Sequence, residues 1–195
     1  MSSKAFSLLL LLGATVTAHA VIDLTPIPFE YKGEGATFTQ LAFKDGPRRL
    51  TYELPHGWSY RRAGDRIQLS PPKSNWTEAF LQVVPLDTAQ TFDEPTVKAL
   101  KQLFLSELPS GSQSITIVNE EQNPVLLNGR PSYEVTVSYK AAGQTFLASA
   151  LCMSVPGSQL IFRLSCPKPE FDAVHRTFRV SVLSCQWLEP ASQPQ

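Results

Sequence analysis

The chain contains three histidines, His19, His56 and His175. Histidine changes charge near neutral pH, so these are the first side chains to test as a general acid or base. His56 lies in TYELPHGWSYRR (51–62), between Pro55 and Gly57 and just before Trp58. Proline fixes φ and ends a strand, glycine tolerates a positive φ, and Trp58 returns a large apolar ring toward a core. The stretch therefore predicts a turn with His56 at its exposed corner. Neither Arg61, Arg62 and Asp65 nearby nor any G-x-S-x-G stretch supplies a recognised nucleophile–base pairing. An enzyme would need a site assembled from distant residues, such as His56 or His175 with Asp65 or Asp172. No catalytic residue and no cofactor is assigned.

Arg61, Arg62 and Arg66, with Arg48 and Arg49 upstream, form the one basic concentration. Guanidinium groups in such a cluster could receive an anionic ligand or an acidic patch of a partner. The competing reading is solvated charge on a strand edge, which discourages edge-to-edge association. Phe104, Phe162 and Phe178 are candidate walls for a small apolar ligand held between sheet and helix, although core filling explains the same residues. Asn75, Trp76 and Thr77 form an N-x-T sequon that matters only on a glycosylating route. Trp76 and Trp187 are expected at the domain margins or in contact with a partner.

The first twenty residues, MSSKAFSLLLLLGATVTAHA, carry Lys4, an apolar run from Phe6 to Leu12, and Ala18 and Ala20 around His19. This is the layout of a signal peptide cleaved after Ala20, and the apolar run is short of the roughly 20 residues that cross a bilayer. The expected location is periplasmic or secreted, without stable membrane insertion. Loss of Lys4 lowers the basic count from 17 to 16 against 17 acidic side chains. Near-neutral charge gives no long-range attraction to nucleic acid, which is set aside as a partner.

Cys152, Cys166 and Cys185 have no metal-site spacing, and their odd number allows at most one internal bridge in an oxidising compartment. A last helix running back along the preceding strand for roughly 18 Å, at 1.5 Å per residue, would bring Cys185 nearer Cys152 than Cys166. The expectation is a Cys152–Cys185 bridge with Cys166 buried as a free thiol.

Residues 21–36, VIDLTPIPFEYKGEGA, hold two prolines and two glycines and predict an irregular lead-in. Period-2 patterning then marks strands at 37–43, 49–54, 66–70 and 78–86. Val97, Leu100, Leu103, Phe104 and Leu108 recur at spacings of three and four, predicting a helix over 94–108 entered at Asp93 and Pro95. Strand patterns resume at 114–121, after a tight turn at Asn128–Gly129, and at 144–154 and 159–166 around a Pro156–Ser158 turn. With Pro156 and Gly157 central in that turn, Leu160, Phe162 and Leu164 share a face with Leu147, Leu151 and Met153. Ala148, Ala150, Cys152 and Ile161 share the other face. A second helix is expected over 169–183, followed by a polar tail from 189.

These elements predict a single α+β domain over 37–188, with an antiparallel sheet of six or more strands covered by helices. Their order, together with Tyr52, Leu54, Pro55, Gly57 and Trp58, then Asn128, Gly129 and Pro131 before SYEVTVSY, and the LSCQW close, resembles the PsbP-like family. That resemblance, including DcrB-like exported bacterial members, implies an α/β/α sandwich. It also implies a non-catalytic binding or accessory protein whose surface meets an envelope protein or small ligand. A hydrolase or a small-ligand carrier is the alternative.

Overall fold

The computed structural model describes residues 22–189, save 34, 73, 75, 87–89 and 128. The leader, Asn75 of the sequon, Asn128 of the tight turn and tail residues 190–195 lie outside that set. The elements run β1 (Asp23–Gly33), β2 (Ala36–Asp45), β3 (Arg48–Glu53), β4 (Ser59–Ala63), β5 (Arg66–Ser70), β6 (Glu78–Pro85) and α1 (Glu94–Ser106). They continue β7 (Gln113–Gln122), β8 (Ser132–Ala141), β9 (Gln144–Val155), β10 (Ser158–Pro167), α2 (Phe171–Leu183) and β11 (Gln186–Leu188).

The strands form two antiparallel sheets rather than the single pleated layer expected from the sequence. One has the order β1-β2-β3-β11 and the other β4-β5-β6-β10-β9-β8-β7. The expected irregular lead-in is also corrected, because Asp23–Gly33 is a strand paired with β2. Pro26 and Pro28 lack a backbone donor but fit there, since β1 is an edge strand with only one paired side.

The β9–β10 hairpin has the expected register, with Leu160 opposite Met153, Ile161 opposite Cys152 and Phe162 opposite Leu151. A strand alternates its side chains between faces. Leu151, Met153, Leu160, Phe162 and Leu164 therefore join one core with Tyr52 and Leu50 of β3 and with Phe171, Phe178 and Val182 of α2. Ala148, Ala150, Cys152 and Ile161 join the other, beneath Leu100 and Phe104 of α1. The seven-stranded sheet thus carries α1 on one face, and α2 with the smaller sheet on the other.

Helix α1 begins where Asp93 Oδ1 accepts from the Thr96 amide at 3.0 Å, and Pro95 sits in its first turn. The PHGW stretch forms the expected turn: the Trp58 amide donates to the Pro55 carbonyl at 3.0 Å and Gly57 has φ +76°. Trp58 then stacks on Phe178 of α2, with ring centroids 6.1 Å apart and planes 9° from parallel. Tyr52, fully buried, shares a 2.8 Å hydrogen bond with Ser181 of α2. The motif clamps α2 across the core.

Candidate binding groove

Helix α1 lies over β8, β9 and β10 and leaves the neighbouring face of β5 and β6 open. The floor under the helix includes the small side chains Ala148, Ala150 and Cys152 beside Val135, Val137 and Ile161. At the carboxyl end of α1 a groove of about 370 Å³ opens between the helix and the sheet. Volumes of about 300–1,000 Å³ are typical of small-molecule sites.

Two arginines face into this groove. Residues 66 and 82, and likewise 80 and 163, are opposite across neighbouring strands, so Arg66 and Arg163 flank Phe80 on the same face of β5-β6-β10. The Arg66 guanidinium lies 5.1 Å from the Phe80 ring centroid, and that of Arg163 lies 5.0 Å from the Phe104 ring. A guanidinium held over a ring can still donate through its N–H edges. Arg163 is ion-paired with Glu107. Burial pushes its pKa down to about 10, and Arg66 repels it in the same direction. Arg66 has Asp65 at 3.6 Å, and Glu78 stands on the groove wall. Tyr139 and Ser165 share a 2.8 Å hydrogen bond at the inner wall, where burial raises the phenol's pKa.

The structure redistributes the residues singled out from sequence. Arg61 and Arg66 are on one face of β4-β5, but Arg62 is on the other, where its Nη1 donates to Thr25 Oγ1 at 2.8 Å. Arg61 Nε donates to Gln68 Oε1 at 2.6 Å. The expected three-arginine cluster is thus replaced by Arg66 with Arg163, a residue the sequence reading passed over. The available signal was a lone cation in the centre of QLIFRLSC, an otherwise buried strand. Of the three phenylalanines proposed as walls, Phe104 lines the groove, while Phe162 and Phe178 pack in the opposite core.

His56 is exposed at its turn and has Phe38 as a ring neighbour, 6.0 Å away. His175 meets neither Asp65 nor Asp172 in a hydrogen bond among the described residues. It instead pairs at 2.6 Å with Glu134 Oε1, a carboxylate on β8 that is 3% exposed. Arg179 Nη1 is 3.7 Å from the other Glu134 oxygen. The expected Cys152–Cys185 bridge is absent: all three thiols are free and buried. Cys152 faces α1 while Cys185 lies in the core on the α2 side, so the sheet separates them. The helix-path argument failed because it followed position along the strand and left out the face on which each thiol stands.

Among the described residues no group of three or more potential ligands is placed to hold a metal, and no helix is long and apolar enough to cross a membrane.

No protein-family model and no curated protein sequence matches the chain. Its fold is similar to the solution structure of the cyanobacterial PsbP, CyanoP, from Synechocystis sp. PCC 6803. That likeness has a TM-score of 0.54 at 14% identity, over 80% of this chain and 96% of the other. It is also similar to LpqN of Mycobacterium tuberculosis, a protein involved in cell envelope biogenesis, with TM-score 0.49 at 14% identity, over 83% and 90%. A third likeness is to PA94 of Pseudomonas aeruginosa, described as a putative regulator, with TM-score 0.43 at 11% identity, over 86% and 99%. The match to CyanoP shows a PsbP-like fold.

Proposed function

We propose that this chain, a domain of PsbP-like fold, is an exported, non-catalytic binding or accessory protein that engages an envelope component through the groove beside α1. The observation that carries this is the pair of ring-backed guanidiniums, Arg66 on Phe80 and Arg163 on Phe104, at the mouth of one cavity. Aromatic and arginine side chains supply most of the energy at recognition surfaces. An α/β/α sandwich reading suits this role, since covering only part of one sheet face leaves the uncovered part available. The leader MSSKAFSLLLLLGATVTAHA supports a periplasmic or secreted location. The buried His175–Glu134 pair is taken as an anchor for α2 rather than as a catalytic dyad.

The test is a pull-down from the native envelope fraction with protein beginning at Val21, comparing wild type with an Arg66→Ala/Phe80→Ala variant. A reproducible partner captured by wild type and lost with the variant is expected. Equal capture by both would overturn the groove assignment.

A further inference from the structure

The two groove arginines stand beside three carboxylates, Asp65, Glu78 and Glu107, yet keep N–H donors that none of the three takes up. Each guanidinium lies over a ring, Arg163 largely buried and Arg66 at the rim. They stand close enough for Arg66 to repel Arg163. In a partly desolvated site such repulsion is weakly screened. Glu107 takes up one part of the Arg163 fork, and that is its one side-chain hydrogen bond among the described residues. A guanidinium has five N–H donors, so most of the fork is left for something else. Arg66 has Asp65 at 3.6 Å, beyond hydrogen-bond distance, as its ionic neighbour among the described residues. The Tyr139–Ser165 hydroxyl pair adds polar groups to the inner wall.

Apart from Glu78, the rest of the lining is apolar. Phe80, Phe104 and Leu108 form the outer walls. From Phe104 and Arg163 a narrow crevice runs beneath α1, bounded by Leu100, Ile161, Ala150 and Cys152. Val135 and Ile161 of the sheet stand there beside Ala150 and Cys152, and the crevice holds only about 10 Å³, so a tail would end at its mouth.

We propose that the groove binds a free amphiphile whose carboxylate or phosphate head lies between Arg66 and Arg163, and whose short apolar tail runs along Phe80, Phe104 and Leu108 toward the crevice under α1. This deepens the groove reading and rests on it. Glu78 opposes an anionic head and so separates it from a zwitterionic one. It stands on the same wall, opposite Ser165 across β6 and β10, and near enough to Arg163 to favour its charged form. An anionic head is repelled by Glu78, whereas a zwitterionic head would use it.

Isothermal titration of the mature protein with octanoate, octyl phosphate, octanol and inorganic phosphate tests the proposal. One or both anionic octyl probes should bind, octanol and inorganic phosphate should bind at least about tenfold more weakly, and the stronger octyl probe identifies the head. Arg66→Ala should weaken binding about tenfold or more, the loss of one charge-assisted hydrogen bond. Arg66 is on the groove rim, so this variant should fold, and its urea midpoint checks that it does. Glu78→Gln should strengthen binding by about threefold, and Phe80→Ala should weaken the octyl probes more than it weakens inorganic phosphate. Octanol binding as tightly as octanoate, no effect of Arg66→Ala, or weaker binding with Glu78→Gln would each overturn the proposal. If no probe binds but the Arg66→Ala/Phe80→Ala variant still loses an envelope partner, the ligand class falls and the groove reading stands.

Discussion

The most exacting prediction concerns Glu134. Its carboxylate is 3% exposed on the α2 side of β8, with His175 Nε2 at 2.6 Å and Arg179 Nη1 at 3.7 Å. A buried charge deprived of its partner is expensive, about 3–5 kcal/mol in fully enclosed pairs. His175 is 16% exposed and Arg179 stays nearby, so His175→Ala should fall below that range, at about 2 kcal/mol. Loss of the His175 stack on Phe171, 4.8 Å between centroids, acts in the same direction. For a domain of this length about 2 kcal/mol corresponds to a Tm lower by about 4–8 °C. Glu134→Gln retains an acceptor oxygen and should lose about 1 kcal/mol. The double change Glu134→Leu/His175→Leu removes both polar partners, and should destabilise less than Glu134→Ala with His175 intact. Urea unfolding followed by tryptophan fluorescence measures all four, because Trp58 stacks on Phe178 of the same helix. A His175→Ala variant within 0.5 kcal/mol of wild type would refute the view that this pair anchors α2, where 0.5 kcal/mol is about the spread of neutral surface substitutions.

Gly57→Ala places a side chain at φ +76°, and should lower stability by about 1–2 kcal/mol in a thermal melt. Burial pushes the Cys152 and Cys166 thiols up to about 12 and raises Cys185 as well. Iodoacetamide at pH 8 should therefore leave the native protein unmodified while alkylating all three thiols in urea, and a Cys152–Cys185 cross-linked peptide would contradict the structure. Hydrogen bonds from Tyr133 and then Lys101 hold Glu120 below its ordinary value of 4.5. A depressed carboxylate stabilises the fold above its unfolded pKa, and this is lost as the pH falls through the folded value. The stability advantage of wild type over Glu120→Gln should accordingly be present at pH 6 and vanish on acidification, as read from urea midpoints.

The parts of the fold that could be read in advance are those where one strand had to satisfy two cores. In β9 and β10 both faces are apolar, so a single choice of turn residues placed every side chain, and the structure agrees. The same assignment already set Cys152 on the face away from Leu164, which argued against its bridge to Cys185. Edge strands were harder. In SYRRA (β4) there is no core to enforce alternation on its outer residues, and in β1 two prolines obscured a strand that pairs on one side only. The three-residue β11 depends wholly on distant β3. Both unforeseen polar contacts, Arg163 with Glu107 and Glu134 with His175, use a charged side chain in the interior of a largely buried strand. The charge was visible, but its partner was supplied by a helix many residues away.

The pairing of β11 with β3 joins the last segment of the chain to one of its first hairpins, with the Trp187 indole donating to Asp45 at 3.0 Å. During synthesis the hairpin of β2 and β3 must therefore wait, with the β3 border unpaired, until residues 186–188 have emerged. A truncation just before residue 186 would leave that border permanently open, whereas an appendage placed beyond residue 189 would find the seam already closed.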